Sequence, residues 1–237
     1  MFGLGTLINV AAIVAGGIIG LLFGRFINER QQESLCRVCG ISTIFIAISG
    51  AMEGMLSIAQ EGIVSSQAMF ITICLALGTF VGELINIEGG FERFAKWLKI
   101  KTGNAKDVTF VDSFLTATFT VCIGAMAIVG SIQDGILGDY TILATKAILD
   151  FVIILVMTAS MGKGCVFSAI PVLAFQGVIT ILAVAIKPLM TEEALANISL
   201  VGSILIFCVG VNLVWGKRIN VANMLPALIF AVIKAFI

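Results

Sequence analysis

The sequence predicts an all-α polytopic membrane protein with about eight transmembrane helices. Hydrophobic residues make up 59% of the 237 residues and charged residues only 12%, whereas soluble domains carry about 25% charged residues. The mean hydropathy is +1.14. The apolar runs are long and do not alternate with period two, which favours helices over a transmembrane barrel. These observations exclude a soluble fold and a disordered chain, and they make the lipid bilayer the expected partner.

A helix needs roughly 20 apolar residues to cross the hydrocarbon core of a bilayer. Eight segments are interpreted as spans, at about 3–24, 39–58, 68–87, 110–130, 140–161, 165–186, 195–215 and 224–237. The last has only 14 residues, so a count of seven spans is the alternative. We expect residues 1–237 to form a single integral membrane domain.

Basic residues predict the orientation, because cytoplasmic loops are enriched in Lys and Arg. Eleven of the 14 basic residues fall in the loops after the first, third, fifth and seventh spans. We therefore expect these loops in the cytoplasm, both termini outside, and the chain in a bacterial inner (plasma) membrane. The same total of 14 acidic residues leaves no basic surface for nucleic acid.

Two further features concern the organisation of the chain. Residues 89–107 place Phe91, Phe94 and Trp97 at helical spacing between lysines, which predicts an amphipathic helix at the interface. Short stretches of similar sequence near the ends of several spans suggest two parallel four-helix repeats, 1–130 and 139–237. Glycine steps at 16, 20 and 24 and at 78 and 82 favour close helix contacts and would suit a homodimer.

The fourth predicted span carries a polar face across most of the membrane. Asp112, Thr116 and Thr120 follow one another at intervals of four residues and lead to Gly124. Lipid contact along such a face is unfavourable, so we expect it to line a cavity or pathway.

The segment after this span combines polar residues with helix-breaking glycines. Glycines at 130, 135 and 138 predict irregular backbone, which membranes tolerate only where it is buried in protein or lines a cavity. Carboxylates and backbone carbonyls there would suit a hard cation. The candidate binding residues in this segment are Ser131, Gln133, Asp134 and Asp139.

The fifth span adds an ion pair, since Lys146 and Asp150 are four residues apart on one helical face. Ionisable residues inside spans are costly and commonly mark a substrate or ion pathway. Four further polar residues are interpreted as pathway-lining: Glu53, Glu83, Gln176 and Asn212. For each of these singly, helix–helix hydrogen bonding or an interfacial position is the alternative.

The sequence contains no histidine, which removes serine–histidine triads and histidine-ligated metals. We expect no enzymatic activity, no cofactor and no resident metal. An intramembrane aspartyl protease is a remote alternative, because Asp139 follows Gly138.

The run from Gly124 to Asp139, GAMAIVGSIQDGILGD, followed by Lys146, Asp150 and a proline-containing segment at Pro226, resembles the YdfK/YqgA family of uncharacterised bacterial integral membrane proteins. The resemblance covers essentially the whole chain. It implies a multi-spanning inner-membrane protein, and it implies that the polar residues from 131 to 150 act as a unit. It supplies no substrate.

These features predict a small transporter, coupled to a cation or to protons, with an inorganic cation or small molecule as substrate. The alternative function is that of an ion channel formed by an oligomer, in which the same polar face lines a pore.

Overall fold

The computed structural model describes residues 3–26, 28–59, 62–122 and 125–236. Helices dominate this part of the chain, and a short 3₁₀ segment, Lys163–Ser168, leads into α8. The helices are α1 Leu4–Gly24, α2 Glu29–Met55, α3 Ala68–Ile85, α4 Ile87–Lys101, α5 Phe110–Cys122, α6 Ala125–Leu137, α7 Thr141–Met161, α8 Ala169–Ile181, α9 Ala183–Ile186, α10 Glu192–Trp215, α11 Val221–Met224 and α12 Ala227–Lys234.

The all-α membrane architecture is confirmed, but the count of eight spans is not. Six of the described helical segments are long and apolar enough to cross a membrane, or seven if the bent pair α5 and α6 forms one span. The predicted eighth span corresponds to a shorter apolar segment, Val221–Lys234. A short antiparallel hairpin, β1 Leu56–Ala59 and β2 Gly62–Ser65, separates α2 from α3.

Glycines set the distances between the main helices. Any side chain at Gly16 or Gly20 of α1 would collide with backbone carbonyls of α7, and Gly78 and Gly82 lie equally close to residues of α11 and α12. The glycine steps that suggested a homodimer are therefore used within the chain, and a homodimer would need another surface.

The order of these contacts gives the relative directions of the helices. Gly16 and Gly20 meet Phe151 and Leu155 in the same order along the chain, so α1 and α7 pack parallel. In contrast, α2 packs antiparallel to α10 and α3 antiparallel to the segment containing α12. We call the end of the bundle that holds the start of α1 the N-terminal side, and the opposite end the α4 side.

The predicted fourth span is broken, but not where the glycines suggested. The bend, of 62°, lies between Phe110–Cys122 and Met126–Leu137, and Gly124 lies outside the described residues. The expectation of irregular backbone from 130 to 139 is wrong for most of that stretch, since α6 continues to Leu137. Gly130 instead admits the Leu143 side chain, and Gly135 admits the Thr180 carbonyl.

Candidate functional site

An ion pair is buried midway along α7. Lys146 Nζ donates to both carboxylate oxygens of Asp150, at 2.7 and 2.6 Å, and to the Val121 carbonyl at 2.8 Å. Both side chains are less than a tenth exposed. Val121 lies in the last turn of α5, and the last carbonyls of a helix have no donor within the helix itself. The ammonium therefore neutralises Asp150 and also stabilises the negative end of a half-helix inside the bundle.

A second layer of polar contacts lies nearer the N-terminal side and joins three helices. The fully buried Asp134 of α6 accepts a 3.0 Å hydrogen bond from the backbone nitrogen of Gly5. The neighbouring Thr6 hydroxyl lies 3.4 Å from the hydroxyl of Thr180 on α8. Gly5 is in the first turn of α1, whose amide groups have no helical acceptor. The carboxylate of Asp134 thus faces the positive end of a helix.

One helical turn away from these contacts, each of the three helices presents another buried polar side chain. On α1 it is Asn9, on α6 Ser131 and on α8 Gln176, each three or four residues from Thr6, Asp134 or Thr180. A turn is about 5 Å along the helix, so the three fall at a similar depth. Asn9 also lies beside the Asp150 carboxylate, although its amide completes no hydrogen bond.

We call these residues the central polar cluster. Its members come from four helices and all are at most 8% exposed: Thr6, Asn9, Ser131, Asp134, Lys146, Asp150, Gln176 and Thr180.

The central polar cluster contains several buried polar atoms with no protein partner in the described part of the chain. They are Asn9 Nδ2 and Oδ1, Ser131 Oγ, Asp134 Oδ1, and Gln176 Nε2 and Oε1. Proteins satisfy nearly all buried polar groups, and an unpaired group in a region of low dielectric constant is costly. A concentration of such atoms at one place in a membrane bundle is typical of a binding site for a polar ligand.

Two cavities lie on the α4 side of the bundle and are bordered by residues of α5. Asp112 and Thr116 line a cavity of about 270 Å³, and Asp112 also borders a second cavity of about 680 Å³. Thr120, half-buried one turn deeper on α5, donates to the Thr116 carbonyl. The next residue is Val121, whose backbone carbonyl accepts the hydrogen bond from Lys146. Asp112 and Thr116 of the predicted polar face therefore line cavities, and Thr120 of the same face precedes the carbonyl that contacts Lys146.

A different polar group lies on the α4 side, and we call it the Glu88 clamp: Glu88, Glu92, Lys217, Ala222 and Asn223. Glu88 accepts from the Ala222 nitrogen at 3.1 Å and pairs with Lys217 at 3.0 Å, while its own backbone nitrogen donates to Asn223 at 2.7 Å. Lys217 also pairs with Glu92 at 2.9 Å. The clamp fastens the amphipathic helix α4 to the segment that enters α11, and Glu88 and Lys217 also line the smaller cavity.

The pKa values in the clamp move in the directions that ion pairing requires. Burial opposes the charge of Lys217, but hydrogen bonds to Glu92 and Glu88 outweigh it, so the pKa of Lys217 is raised. Its hydrogen bond to Glu92 lowers the pKa of that carboxyl. Both groups are therefore held in their charged forms.

Several residues predicted from the sequence lie outside the central polar cluster. Asp139 is exposed and accepts from the backbone and hydroxyl of Thr141 at the start of α7, and these bonds lower its pKa. Gln133 is half-buried on α6, whereas Glu53 and Glu83 are exposed near helix ends. Asn212 borders the smaller cavity but holds the following loop, since its oxygen accepts from the backbone nitrogens of residues 218 and 219.

Sequence reasoning missed the contribution of α1. Asn9 and Thr6 are polar residues within a long apolar run, and that rarity was the available signal. The role of the Gly5 nitrogen carries no such signal, because it depends on the backbone at the start of the helix. Glu88 was also missed, since an acidic residue beside an interfacial helix resembles an ordinary solvated charge.

Comparison with known proteins extends along nearly the entire chain. The chain is 28% identical over 233 residues to "Uncharacterized membrane protein YdfK" of Bacillus subtilis (strain 168), covering 98% of this chain and 96% of that protein. It is 27% identical over 232 residues to "Uncharacterized protein YqgA" of Escherichia coli (strain K12), covering 96% and 94% respectively. No solved structure matches. The family model described as "Protein of unknown function (DUF554)" matches residues 4–236, so this membrane protein belongs to that family, as the sequence resemblance implied.

Proposed function

We propose that the protein is a small transporter of the bacterial inner membrane, coupled to a cation or to protons, with both termini outside. The observation that carries the proposal is the central polar cluster, in which buried atoms from α1, α6 and α8 have no partner among the described residues. A structural network would satisfy its own members, as the Glu88 clamp does. A cluster with unused donors and acceptors is suited to a polar ligand.

The broken fourth span gives this cluster a transporter-like setting. Half-helices that end inside a membrane expose backbone groups to substrates and coupling ions. Here the carbonyl end of α5 meets Lys146, and the cavity lined by Asp112 and Thr116 opens on the same helix. The buried ion pair lies between the cavity and Asp134. In a transport cycle it would block the substrate's route, and a conformational change would have to displace it.

The same arrangement favours a transporter over a channel. A conducting pore needs a continuous polar path, whereas Lys146 has three acceptors and closes the path at the end of α5. We expect saturable flux that requires a gradient. Single-channel current steps in a planar bilayer would establish the channel alternative.

The test is flux into proteoliposomes that contain the purified protein. Imposed Na⁺, K⁺ or H⁺ gradients are combined with a panel of radiolabelled amino acids, organic acids and inorganic ions. Asp134→Asn and Asp150→Asn should abolish or strongly reduce any flux that is found. The matched control is Glu193→Gln, which removes a carboxylate from the exposed first turn of α10. Flux that persists unchanged in both cluster variants would refute the site, and no flux across the whole panel would count against the function.

A further inference from the structure

We propose that Asn9, Ser131, Asp134 and Gln176 form a Na⁺ site, an inference that rests on the proposed transport function and names its coupling ion. Each of these side chains is at most 1% exposed. Each has an oxygen without a protein partner in the described ranges: Asn9 Oδ1, Ser131 Oγ, Asp134 Oδ1 and Gln176 Oε1. Asn9, Ser131 and Gln176 lie at a similar depth, and Asp134 lies one helical turn from Ser131 on α6. Oxygen atoms of this kind are the ligands that hard cations bind.

The charge of the cluster selects a monovalent cation. Lys146 and Asp150 together carry no net charge, and they form a closed pair with two short contacts. Asp134 is the remaining ionisable member of the central polar cluster, so the ionised cluster carries one negative charge. A single positive charge neutralises it, whereas sites for divalent cations commonly employ several carboxylates. A divalent cation here would leave a positive charge buried in the membrane, which is costly.

The number of unpartnered oxygens distinguishes Na⁺ from a proton. A proton on Asp134 Oδ1 would satisfy that atom and at most one neighbour. The oxygens of the other side chains would stay unpartnered, at a cost of roughly 1–3 kcal/mol each. A cation bound among the four oxygens satisfies all of them together. The Asn9 amide then has a consistent orientation, because it would turn its oxygen to the ion and its NH₂ towards the neighbouring Asp150 carboxylate.

Backbone geometry prepares the carboxylate for this role. Asp134 Oδ2 is held by the Gly5 nitrogen, and Oδ1 on the same carboxylate is left available. Gly135 allows α6 to approach the Thr180 carbonyl of α8 closely. This contact packs α6, which carries Ser131, against α8, which carries Gln176. The site is therefore built from rigid helices rather than loops, as selective sites require.

The test measures Na⁺ binding independently of transport. Binding of ²²Na⁺ to purified protein in detergent is followed by scintillation proximity, with NaCl, KCl and choline chloride as competitors. We expect saturable binding that NaCl displaces, with KCl at least tenfold weaker and choline chloride ineffective. Asp134→Asn should abolish binding, whereas Gln176→Ala and Ser131→Ala should each weaken it about tenfold. Glu193→Gln is the control and should bind as the original chain does.

Each outcome bears on one of the two proposals. Asp134→Asn still offers an oxygen to the Gly5 nitrogen and should fold; if it does not, Ser131→Ala decides, because it removes one ligand oxygen and no charge. Absence of Na⁺ binding, equal competition by KCl, or full binding in the ligand variants would overturn the Na⁺ site. Proton-driven flux without Na⁺ binding would overturn the Na⁺ site and leave the transporter. Na⁺ binding without flux would retain the site and refute the transporter.

Discussion

The central polar cluster and the Glu88 clamp are both buried polar groups, but they differ in how completely they are satisfied. In the clamp, each Glu88 carboxylate oxygen has a partner, and the partner residues belong to elements that the clamp joins. In the central cluster, Asp134 Oδ1 and the amides of Asn9 and Gln176 have none within the described chain. The clamp can therefore be explained by stability alone, whereas the cluster holds donors and acceptors that no contact within the described chain uses.

The difference separates two uses of buried charge in one membrane protein. A closed network stabilises the packing of the helices that it joins, because every polar group removed from water regains a hydrogen-bond or ion-pair partner. An open network raises the free energy of the folded state until a ligand completes it. Substitution of the unpartnered residues should consequently change ligand binding, whereas substitution within a closed network should change stability. The Lys146–Asp150 pair is a closed unit within the open cluster and should show the largest change in stability.

The largest effect is expected for Lys146→Met, which leaves Asp150 buried without its partner. Loss of one member of a buried ion pair costs about 3–5 kcal/mol. The free energy of unfolding, measured in mixed SDS and detergent micelles, should fall by this amount. The double variant Lys146→Met with Asp150→Leu should recover most of the loss, since it removes the unpaired charge. The Val121 carbonyl loses its donor in both variants, so equal instability of the two would contradict the explanation.

Glu88→Ala should be the next most severe, because it removes the acceptor of a buried backbone nitrogen and one anchor of Lys217. An unsatisfied buried group costs about 1–3 kcal/mol, so the free energy of unfolding should fall by that amount. Glu88→Gln retains an acceptor for Ala222 and should lose less. If Glu88→Ala were as stable as the original chain, the closed network would have no structural role.

The sequence predicted the membrane class and most spans, because hydropathy over twenty residues depends on many side chains at once. It predicted the Lys146–Asp150 pair from helical spacing alone. It did not separate Asp134 from Asp139, which are five residues apart and of the same type. The first is fully buried and the second exposed. That distinction depends on how α6 packs on α1 and α8, and these contacts are distant in sequence.

The break in the fourth span shows a similar limit. Gly130 and Gly135 suggested irregular backbone, yet both lie within α6 and serve close packing instead. A helical glycine has two physical uses, flexibility and small size, and composition does not distinguish them. The transport role, the orientation and the internal repeat stay predictions.

Packing around the cluster provides an effect of similar size to that of Glu88→Ala, with a glycine control on the neighbouring helix. Gly135→Ala places a methyl group against the Thr180 carbonyl, whereas Gly177→Ala on α8 meets nothing within 4 Å. Overpacking should cost Gly135→Ala about 1–3 kcal/mol, and Gly177→Ala should be neutral or stabilising by about 0.5–1 kcal/mol. Unfolding in mixed micelles measures both. Equal effects of the two substitutions would mean that α6 and α8 are not in close contact at this level.

The smallest effect concerns the exposed edge of the Glu88 clamp and appears as a dependence of stability on pH. The Lys217 hydrogen bond lowers the pKa of Glu92 below its usual value of 4.5. A lowered pKa in the folded state contributes stability that is fully present above the usual value and is lost as the pH falls through the folded value. The difference in unfolding free energy between the original chain and Glu92→Gln should therefore be constant above about pH 5 and shrink below it.

The solvent exposure of Glu92 and Lys217 limits the size of this difference in unfolding free energy. The Glu92 side chain is 32% exposed and Lys217 43%, so solvent screens the pair and we expect less than about 1 kcal/mol. Added salt should reduce the difference further, since exposed charges are screened at physiological ionic strength. Because Glu88 keeps its contact with Lys217 in the variant, only the outer half of the clamp is removed. A difference that grows as the pH falls would have the wrong sign for a carboxylate with a lowered pKa, and it would show that Lys217 does not stabilise the ionised form of Glu92.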